Sequence, residues 1–389
     1  MKIIAFYLPQ YHSIPENDLW WGNGFTEWTN VKKSIPLFRG HNQPRVPLNE
    51  NYYDLLNSDV MKWQTETAKK YGVFGFCFYH YWFAHGEMLL EKPIEQFLDR
   101  NDIDFPFCIC WANENWSRRW DGAENEILME QNYGGKHEWV NHFNYLLPFL
   151  KNNRYIRING KPIFVIYKPE LIPQLNEMID VWQQLANENG VGPISFSYQY
   201  ADYHFISNKD DSKFDYGIEF EPFYSNRLRE TEISNAKRAY NIIRLIFSDY
   251  SLFVIKIKSY INSSLNKYFC KLIKFRFIVI NRKSYSEIAE VSVNHKPKGE
   301  KNVACVFTDW DNSPRRGKKA SMFYGSTPEK FEKYLIKQID RTKNEYNKNF
   351  LFVNAWNEWG EGAYLEPDEK WKYKYLEAVK SALEKNGYK

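Results

Sequence analysis

The chain alternates between short apolar or aromatic runs and longer segments in which apolar residues recur at helical spacing. Eight runs of the first kind stand at 2–12, 73–83, 105–116, 161–170, 193–200, 214–223, 303–313 and 349–359. Helical spacing begins near residues 58, 92, 137, 176 and 327; in the last segment Thr327 is expected to cap the helix, with Pro328 as its first residue. Because strands that alternate with helices form a parallel sheet covered by helices, eight repeats predict an α/β fold, a (β/α)₈ TIM barrel.

Nearly every run changes from aliphatic to polar and aromatic residues at its C-terminal end. The ends read PQYH, YHYW, WANENW, YKPE, EFEP, DWDN and WNEWGE. In a parallel barrel these ends meet at one face, where the loops that follow the strands build the active site. A doubly wound sheet would concentrate such residues at one switch point, so their spread favours the barrel.

Residues 226–300 interrupt this rhythm with a basic, aromatic-rich composition. They contain 15 Lys and Arg against 6 Asp and Glu, interleaved with Ile, Leu and Phe. One interpretation is an insertion after strand six with a small helical core and a solvated basic face. The other is a segment that lies on an anionic membrane surface or grips a polyanionic partner. We therefore divide the chain into a first part of a catalytic barrel, 1–225, the inserted segment, 226–300, and the last part of the barrel, 301–389.

Composition narrows the functional classes. The net charge of +4 is too mild to indicate a nucleic acid partner. The five cysteines are odd in number and show no CxxC spacing, which argues against a disulfide framework and a zinc site. The N-terminal apolar run is broken by Pro9, and no stretch reaches the length of a membrane span. We expect a cytoplasmic protein, membrane-peripheral if the basic segment binds lipid, without a cofactor.

The segment NAWNEWGEGAYLEP, residues 354–367, carries the strongest chemical signal. Glu358 and Glu361 stand three residues apart among tryptophans and glycines, although burial of an unpaired carboxylate is costly. Two carboxyl groups in one partly dry site have pKa values pushed apart, so one can act as an acid while the other acts as a base or nucleophile. Cleavage of a glycosidic bond needs this division. The alternative is that one glutamate caps a helix or forms a salt bridge; Glu366 is interpreted as a loop residue or a supporting partner.

Other acidic residues compete for this role. Glu114 in WANENW could face the pair across the barrel mouth, accept a sugar hydroxyl, or bind Arg118 or Arg119. Glu219 and Glu221 share one side of a strand by alternation, and the pattern does not tell which side.

Aromatic residues crowd the same strand ends as these polar ones. Sugars offer apolar faces for stacking and hydroxyls for hydrogen bonds, so this mixture predicts a carbohydrate groove. The predicted substrate-binding residues are Tyr11, His12, Glu27, Trp28, Tyr79, His80, Tyr81, Trp82, Trp111, Asn113, Glu114, Trp116, Arg118, Trp120, Tyr167, Glu219, Glu221, Trp310, Asp311, Arg315, Asn357 and Trp359.

Motifs of other chemistries are absent or weak. The sequence contains no GxxxxGK[ST], GxGxxG, HExxH or GxSxG. Asp309 and Asp311 form a loose DxD pattern, by which many nucleotide-sugar transferases hold a divalent metal. A pattern of three residues arises easily by chance, so we predict no metal site.

Seven motifs in one order resemble the WbsX-type glycosyltransferase family, which is related to glycoside hydrolase family 99. They are FYLPQYH, NDLWWGNGFTEWTNV, FCFYHYWF, FPFCICWANENWSRRWDG, GKPIFVIYKP, WDNSPRRG and NAWNEWGEGAYLEPD. The resemblance covers 1–225 and 303–380 and omits the basic segment.

The resemblance implies a (β/α)₈ enzyme that cleaves α-mannosidic bonds with retention of configuration. The family motif EWHEG matches EWGEG here. It implies that Glu358 deprotonates the sugar 2-hydroxyl and that Glu361 is the general acid/base. Gly360 replaces the central His of that motif, which leaves both acids in place and concerns the substrate contacts. WbsX-type proteins are associated with lipopolysaccharide O-antigen and capsule loci.

The sequence therefore predicts a carbohydrate-active enzyme for a glycosidic bond of a bacterial surface polysaccharide, acting by hydrolysis or by transfer. A nucleotide-sugar glycosyltransferase that uses Asp309 and Asp311 is the first alternative. A sugar-binding protein without activity is the second.

Overall fold

The computed structural model describes residues 1–118, 126–199, 205–206, 209–232 and 281–388. A parallel sheet runs through these residues and forms a nearly closed barrel. Its strands are β1 Lys2–Tyr7, β2 Gly75–Trp82, β3 Phe107–Trp111, β4 Lys161–Ile166, β5 Ser195–Gln199, β6 Tyr216–Ile218, β7 in two pieces, Asn302–Val303 and Cys305–Phe307, and β8 Phe350–Asn354. All eight predicted runs contribute a strand, and the predicted (β/α)₈ barrel is confirmed.

The two pieces of β7 close the barrel. Strands β6 to β1 pair in consecutive order, and β1 pairs with β8 in the register Lys2 to Phe350. The first piece of β7 pairs with β6, and the second piece pairs with β8. Since both edges of the sheet belong to one short stretch of chain, the described part of the sheet curls back on itself.

Helices cover the outside of the barrel and build its loops. The described helices are α1 Pro15–Trp21, α2 Glu27–Lys33, α3 Ser58–Lys70, α4 Lys92–Asp99, α5 Lys136–Lys151, α6 Leu175–Glu188, α7 Phe223–Glu232, α8 Tyr285–Asn294, α9 Ser313–Arg316, α10 Pro328–Asn344 and α11 Lys374–Lys385. Thr327 caps α10 as predicted, because its side chain accepts a hydrogen bond from the backbone N–H of Lys330.

Short strands extend the loops above the sheet. Met88–Leu89 pairs with the end of β2, and Arg157–Ile158 pairs with β4. The remaining short pairs are Trp116–Ser117 with Ile127–Met129, Asn281–Ser284 with Ser321–Tyr324, and Asn357–Glu358 with Ala363–Tyr364.

The flanks of the basic segment belong to the barrel's helical layer. Helix α7 ends at Glu232, and α8 packs against α7 and α10 through buried Tyr285 and Ile288. The rest of that segment, 233–280, lies outside the described residues, so its membrane contact stays a prediction. Among the described residues, no helix has the length and hydropathy needed to cross a bilayer.

Aromatic rings fill the barrel interior. Phe6 stacks on Phe352 at 5.2 Å and on Tyr79 at 5.6 Å between ring centroids, and Phe220 meets it edge-on at 5.5 Å. Tyr79 and Phe220 also line a cavity at the C-terminal ends of the strands. The packed rings therefore form the floor of that cavity.

Candidate active site

Glu358 and Glu361 are presented by a tight hairpin at the end of β8. We call residues 357–364 the glutamate hairpin; its two short strands pair antiparallel, and a 3₁₀ turn, Trp359–Glu361, joins them. Gly362 follows in the left-handed region with φ of 65°, where a side chain is strained. A Cβ there would lie 2.8 Å from the guanidinium of Arg45, so the turn needs glycine for two reasons.

Arg315 holds three glutamates at once. Its Nη2 lies 2.9 Å from Glu358 Oε1, its Nη1 lies 2.8 Å from Glu361 Oε1, and its Nε lies 2.8 Å from Glu27 Oε1. The Arg315 side chain is 7% exposed, so these charge-assisted contacts are shielded from water. Helix α9, which carries Arg315, thus ties the loop after β7 to the loop after β1 and to the glutamate hairpin.

The environment perturbs both glutamates of the hairpin. Burial raises the pKa of Glu358 well above its ordinary value, and the Arg315 guanidinium opposes that rise. Burial also raises the pKa of Glu361, again against Arg315. Exposure of the side chains, 8% for Glu358 and 25% for Glu361, makes Glu358 the deeper group. Two interacting carboxyl groups in such a site titrate as a pair, and one of them retains a proton at higher pH than a free glutamate.

Both glutamates line a cavity of about 240 Å³ at the C-terminal ends of the strands. This volume lies near the lower end of small-molecule pockets, about 300 Å³. Its wall contains nine residues that were predicted from the sequence: Tyr79, Tyr81, Glu114, Trp116, Tyr167, Trp310, Arg315, Glu358 and Glu361. Glu114 raises the pKa of Glu361 through its charge and forms an ion pair with Lys168; its part in catalysis or sugar binding stays a prediction.

Several wall residues were not predicted. They are Leu8, Gln10, Trp21, Ala112, Asn115, Ser117, Leu128, Phe220, Phe223 and Asn354. The family motifs contain three of these residues, Gln10, Trp21 and Asn115. Phe220 lies between Glu219 and Glu221 in EFEP, so strand alternation places it on the inner face once those two glutamates are known to face outward. Leu128 gave no signal, because it reaches the cavity from a loop whose path the sequence does not specify.

Two predicted residues of the glutamate hairpin, Asn357 and Trp359, pack against two that lie behind it, Tyr11 and Trp28. Asn357 accepts from Leu8 N at 2.8 Å and donates to Leu8 O at 3.0 Å. The Tyr11 hydroxyl donates to Asn357 O at 2.6 Å, and Trp28 and Trp359 pack 5.5 Å apart between ring centroids. These side chains are buried and fix the hairpin's position.

Glu366 anchors the same layer. It accepts from Trp356 Nε1 at 3.0 Å and from Trp359 Nε1 at 2.7 Å. Gln64 and Tyr53 donate to it at 2.7 Å and 2.8 Å. Burial raises its pKa to about 7 against these hydrogen bonds. The interpretation of Glu366 as a supporting partner agrees with this placement.

Other predicted residues face the helices instead of the cavity. His80 lies 2.9 Å from His142, Nε2 to Nε2, and burial lowers its pKa to about 3. Trp82 stacks on His142 at 4.5 Å between ring centroids, and Trp111 donates from Nε1 to Trp82 O at 3.0 Å. Strand β2 therefore turns Tyr79 and Tyr81 into the cavity and their neighbours outward.

The loop residues Asn113 and Arg118 hydrogen-bond to segments that are distant in the chain. Asn113 donates to Lys168 O at 2.8 Å, and Arg118 donates to Trp20 O at 3.3 Å at the rim. His12 is buried, and burial lowers its pKa. Trp120 lies outside the described residues.

Glu219 and Glu221 share a side, as expected, and it is the outer one. Burial would raise the pKa of Glu219, but the hydrogen bond with His295 at 3.0 Å and those with Tyr346 and Asn302 lower it. Glu221 accepts a hydrogen bond from the Ser225 hydroxyl, and burial raises its pKa to about 7.

The DxD pattern is bound by protein partners. Asp309 pairs with Arg45 Nη2 at 2.8 Å, and Asp311 accepts from Gln43 at 2.7 Å and lies 2.8 Å from His41 Nε2. The His41 hydrogen bond and the Arg45 charge outweigh burial and lower the pKa of Asp311 to about 2. Across the described residues, no group of three or more His, Cys, Asp or Glu could hold a metal ion.

The model of the glycosyltransferase WbsX family matches residues 3–379 of this chain. The chain belongs to the WbsX family. WxcX of Xanthomonas campestris pv. campestris, an uncharacterized protein, is 35% identical over 385 residues, which are 98% of this chain and 49% of WxcX. This WbsX chain spans about half the length of the curated relatives it matches.

Solved structures share the WbsX chain's fold. The family 99 endo-α-mannosidase of Bacteroides thetaiotaomicron has a TM-score of 0.51 and 12% identity, with 98% of this chain and 96% of the mannosidase covered. A glycoside hydrolase-like protein has a TM-score of 0.53 and 12% identity, with 98% and 93% covered. At this identity the likeness concerns the barrel alone.

Gly360 is surrounded in this WbsX protein. A Cβ at that position would lie 2.3 Å from Glu27 Oε1 and 2.8 Å from Arg315 Nε. The Glu27 carboxylate and the Arg315 guanidinium thus occupy the space that a side chain at position 360 would need.

Proposed function

We propose that this protein is an enzyme that acts at a glycosidic bond, with Glu361 as general acid/base and Glu358 as base. The observation that carries the proposal is the shared cavity: both carboxyl groups line it, and one guanidinium holds both. Paired carboxyl groups in opposite protonation states are what this reaction needs.

The proposed reaction follows the resemblance to family 99. Glu358 takes the proton of the sugar 2-hydroxyl, and the 2-oxygen attacks the anomeric carbon. The bond from that carbon to the leaving oxygen breaks, and Glu361 gives its proton to that oxygen. Water or an acceptor hydroxyl then opens the 1,2-anhydro ring while Glu361 takes its proton, and Glu358 returns its proton to the 2-oxygen.

The cavity wall supports a saccharide substrate. Trp116, Tyr167 and Trp310 offer aromatic surface, and Gln10 and Glu114 offer hydrogen-bonding groups beside it. This combination binds apolar sugar faces and fixes their hydroxyls. The substrate class that we propose is a bacterial surface glycan, as the resemblance implies.

The roles within the pair can be separated by experiment. The resemblance assigns the base to Glu358, whereas burial raises the pKa of both glutamates and does not distinguish their roles. A general acid is needed only for a poor leaving group. Glu361→Gln should therefore still release dinitrophenol from a dinitrophenyl glycoside, with a slower ring-opening step, and lose turnover of an oligosaccharide, while Glu358→Gln should lose both.

The test begins with a panel of oligosaccharides and dinitrophenyl glycosides, with products read by mass spectrometry. Glu369→Gln, which changes an exposed glutamate after the hairpin, is the matched control and should act like wild type. Near-normal turnover of the oligosaccharide by Glu358→Gln and Glu361→Gln would contradict the proposal. The reverse pattern with the aryl glycosides would exchange the two roles.

Transfer from a nucleotide sugar is the second candidate, and membership of a family named as glycosyltransferases favours it. The contacts of Asp309 and Asp311 with Arg45, His41 and Gln43 count against a metal-bound donor. Turnover that requires a nucleotide sugar and stops with a chelator would favour this candidate. Sugar affinity without any turnover would instead indicate a binding protein.

A further inference from the structure

We propose that Glu27 is a positioning residue: it holds the Arg315 guanidinium against Glu358 and Glu361 and so fixes the protonation state in which the pair works. This inference rests on the proposed function, because it assumes that Glu358 and Glu361 are the catalytic pair. Glu27 itself lies outside the cavity wall. Glu27 opens helix α2 and is 1% exposed, so it acts through Arg315 and not on the substrate.

The three elements that carry these residues form one packed unit. Helix α2, helix α9 and the Trp359–Glu361 turn contact one another. Glu27 Oε1 lies 2.8 Å from Arg315 Nε, on the edge of the guanidinium next to the nitrogens that bind the pair. A guanidinium offers its donors in a rigid, planar fork. Fixing its Nε edge therefore fixes where Nη1 and Nη2 can reach.

Gly360 is the third part of this arrangement. Its missing side chain lets Glu27 Oε1 approach to 2.3 Å from where a Cβ would lie. Its φ is not in the left-handed region, so space and not backbone conformation demands glycine. The histidine of the EWHEG motif would have to displace Glu27 or Arg315. In this chain, the Glu27–Arg315 pair fills the position that the motif gives to a side chain.

The charges around Glu27 give the direction of its effect. Arg315 faces it from α9, Glu358 and Glu361 from the glutamate hairpin, and Tyr11 from the loop after β1, while Glu114 faces Glu361 from the loop after β3. The Glu27 carboxylate raises the pKa of Glu358 and of Glu361, and Arg315 lowers both. A glutamine at position 27 keeps an oxygen for Arg315 Nε and removes only the charge, so the guanidinium stays in place and both pKa values should fall; an alanine releases the guanidinium, so both should rise.

The experiment compares wild type with Glu27→Gln, which keeps the shape and removes the charge. We expect both limbs of the pH profile of kcat/KM to move to lower pH by about one unit. Glu16→Gln on α1 removes a charge from the same loop and is the matched control. Lower activity with unchanged limbs would overturn the proposal, because that result indicates a purely structural role.

A titration separates this proposal from the proposed function. Carbon-13 NMR of labelled glutamate follows the carboxyl groups without any substrate, and the Glu358→Gln and Glu361→Gln spectra assign them. A downward shift in Glu27→Gln, which keeps an oxygen for Arg315 Nε, together with an upward shift in Glu27→Ala, which releases the guanidinium, supports the positioning role even if wild type turns over no glycoside. An unchanged titration would contradict the positioning role of Glu27, whatever the activity of the variant.

A second pair of variants tests the same contact from the side of residue 360. Gly360→Ala should reduce kcat/KM about tenfold or more in wild type and much less in a Glu27→Ala background, since contacting residues are not additive. Equal losses in both backgrounds would show that Glu27 is not what requires glycine at 360.

Discussion

Arg315 Nη2 lies 2.9 Å from Glu358 Oε1, and the two side chains are only 7% and 8% exposed. A charge pair of this kind is held in a low-dielectric site, where loss of one partner leaves the other charge buried and unpaired. Glu361 and Glu27 bind the same guanidinium. The protonation of the candidate pair is therefore inseparable from the position of Arg315.

Arg315→Lys should move the pH profile of turnover to higher pH. The guanidinium lowers the pKa of Glu358 and of Glu361, and a lysine, with its donors on one nitrogen, cannot reproduce the planar fork that places a separate nitrogen against each carboxylate. We expect a shift of about one unit and a loss of about tenfold or more in kcat/KM. Kinetics from pH 4 to pH 9 on the best glycoside of the panel measure both.

Arg154→Lys is the matched control for that change. Arg154 is a half-buried arginine that donates to the backbone oxygens of Phe97, Leu98, Arg100 and Ile103. Its loss should lower the melting temperature without moving the pH profile. If Arg315→Lys behaves in the same way, Arg315 is structural and does not set the protonation of the pair.

Glu366→Gln should destabilise the protein and weaken turnover. Each oxygen of Glu366 accepts two hydrogen bonds, one pair from Gln64 and Trp356 and the other from Tyr53 and Trp359. A glutamine amide would turn its NH₂ group towards one of those pairs of donors. Buried donors without acceptors cost about 1–3 kcal/mol each, so we expect a loss of about 2–4 kcal/mol in unfolding free energy.

Urea denaturation at pH 7 measures that loss, with Glu369→Gln as the exposed control. Turnover should fall as well, because Trp359 connects the two candidate catalytic residues. Wild-type stability in Glu366→Gln would mean that the four donors find other acceptors.

The fold could be predicted from the sequence because the barrel strands are short apolar runs separated by helical spacing. The sequence could not predict which face of each strand points into the barrel. Strands of a parallel barrel are buried on both faces, so the polar and apolar pattern is the same on each. The sequence pattern does not distinguish the facing of Tyr79 from that of His80, yet Tyr79 lines the cavity and His80 packs against α5. The predicted set therefore mixed both faces.

The candidate pair, Glu358 and Glu361, could be predicted from the sequence because its two members lie three residues apart. The contacts that support it could not be predicted, because they join distant segments. Arg315 reaches Glu27 across 288 positions and Glu358 across 43. No local pattern reports such contacts. The role of Gly360 is likewise visible only once Glu27 is seen beside it.

Glu221→Gln should change how stability depends on pH. Burial raises the pKa of Glu221 to about 7, against hydrogen bonds from Ser225 and Ser292 and the charge of His295. Since the folded pKa is raised, the stabilising contribution is fully present below the unfolded pKa of about 4.5 and is lost as pH rises through 7. Glutamine stays neutral throughout, so the unfolding free energy of the variant relative to wild type should rise by up to about 3 kcal/mol between pH 5 and pH 8.

Denaturation at several pH values measures that difference. Glu366 titrates in the same range in both proteins and cancels from the comparison. A difference that does not change with pH would show that Glu221 ionises normally. Activity tests the placement too: Glu221 faces away from the cavity, so turnover at pH 6 should stay near the wild-type level.

Trp116→Ala should weaken saccharide binding and leave the chemical step less affected. Trp116 forms part of the cavity wall and is supported by Tyr81 at 5.2 Å and Trp20 at 6.1 Å between ring centroids. Loss of a stacking surface of this kind should raise KM or Kd about 3- to 10-fold, with a smaller change in kcat. Trp371→Ala removes a half-buried tryptophan that packs on Tyr375 and does not belong to the wall, so it is the control. Calorimetric titration with the best oligosaccharide measures the affinity, and equal affinities for both variants would mean that the sugar does not rest on Trp116.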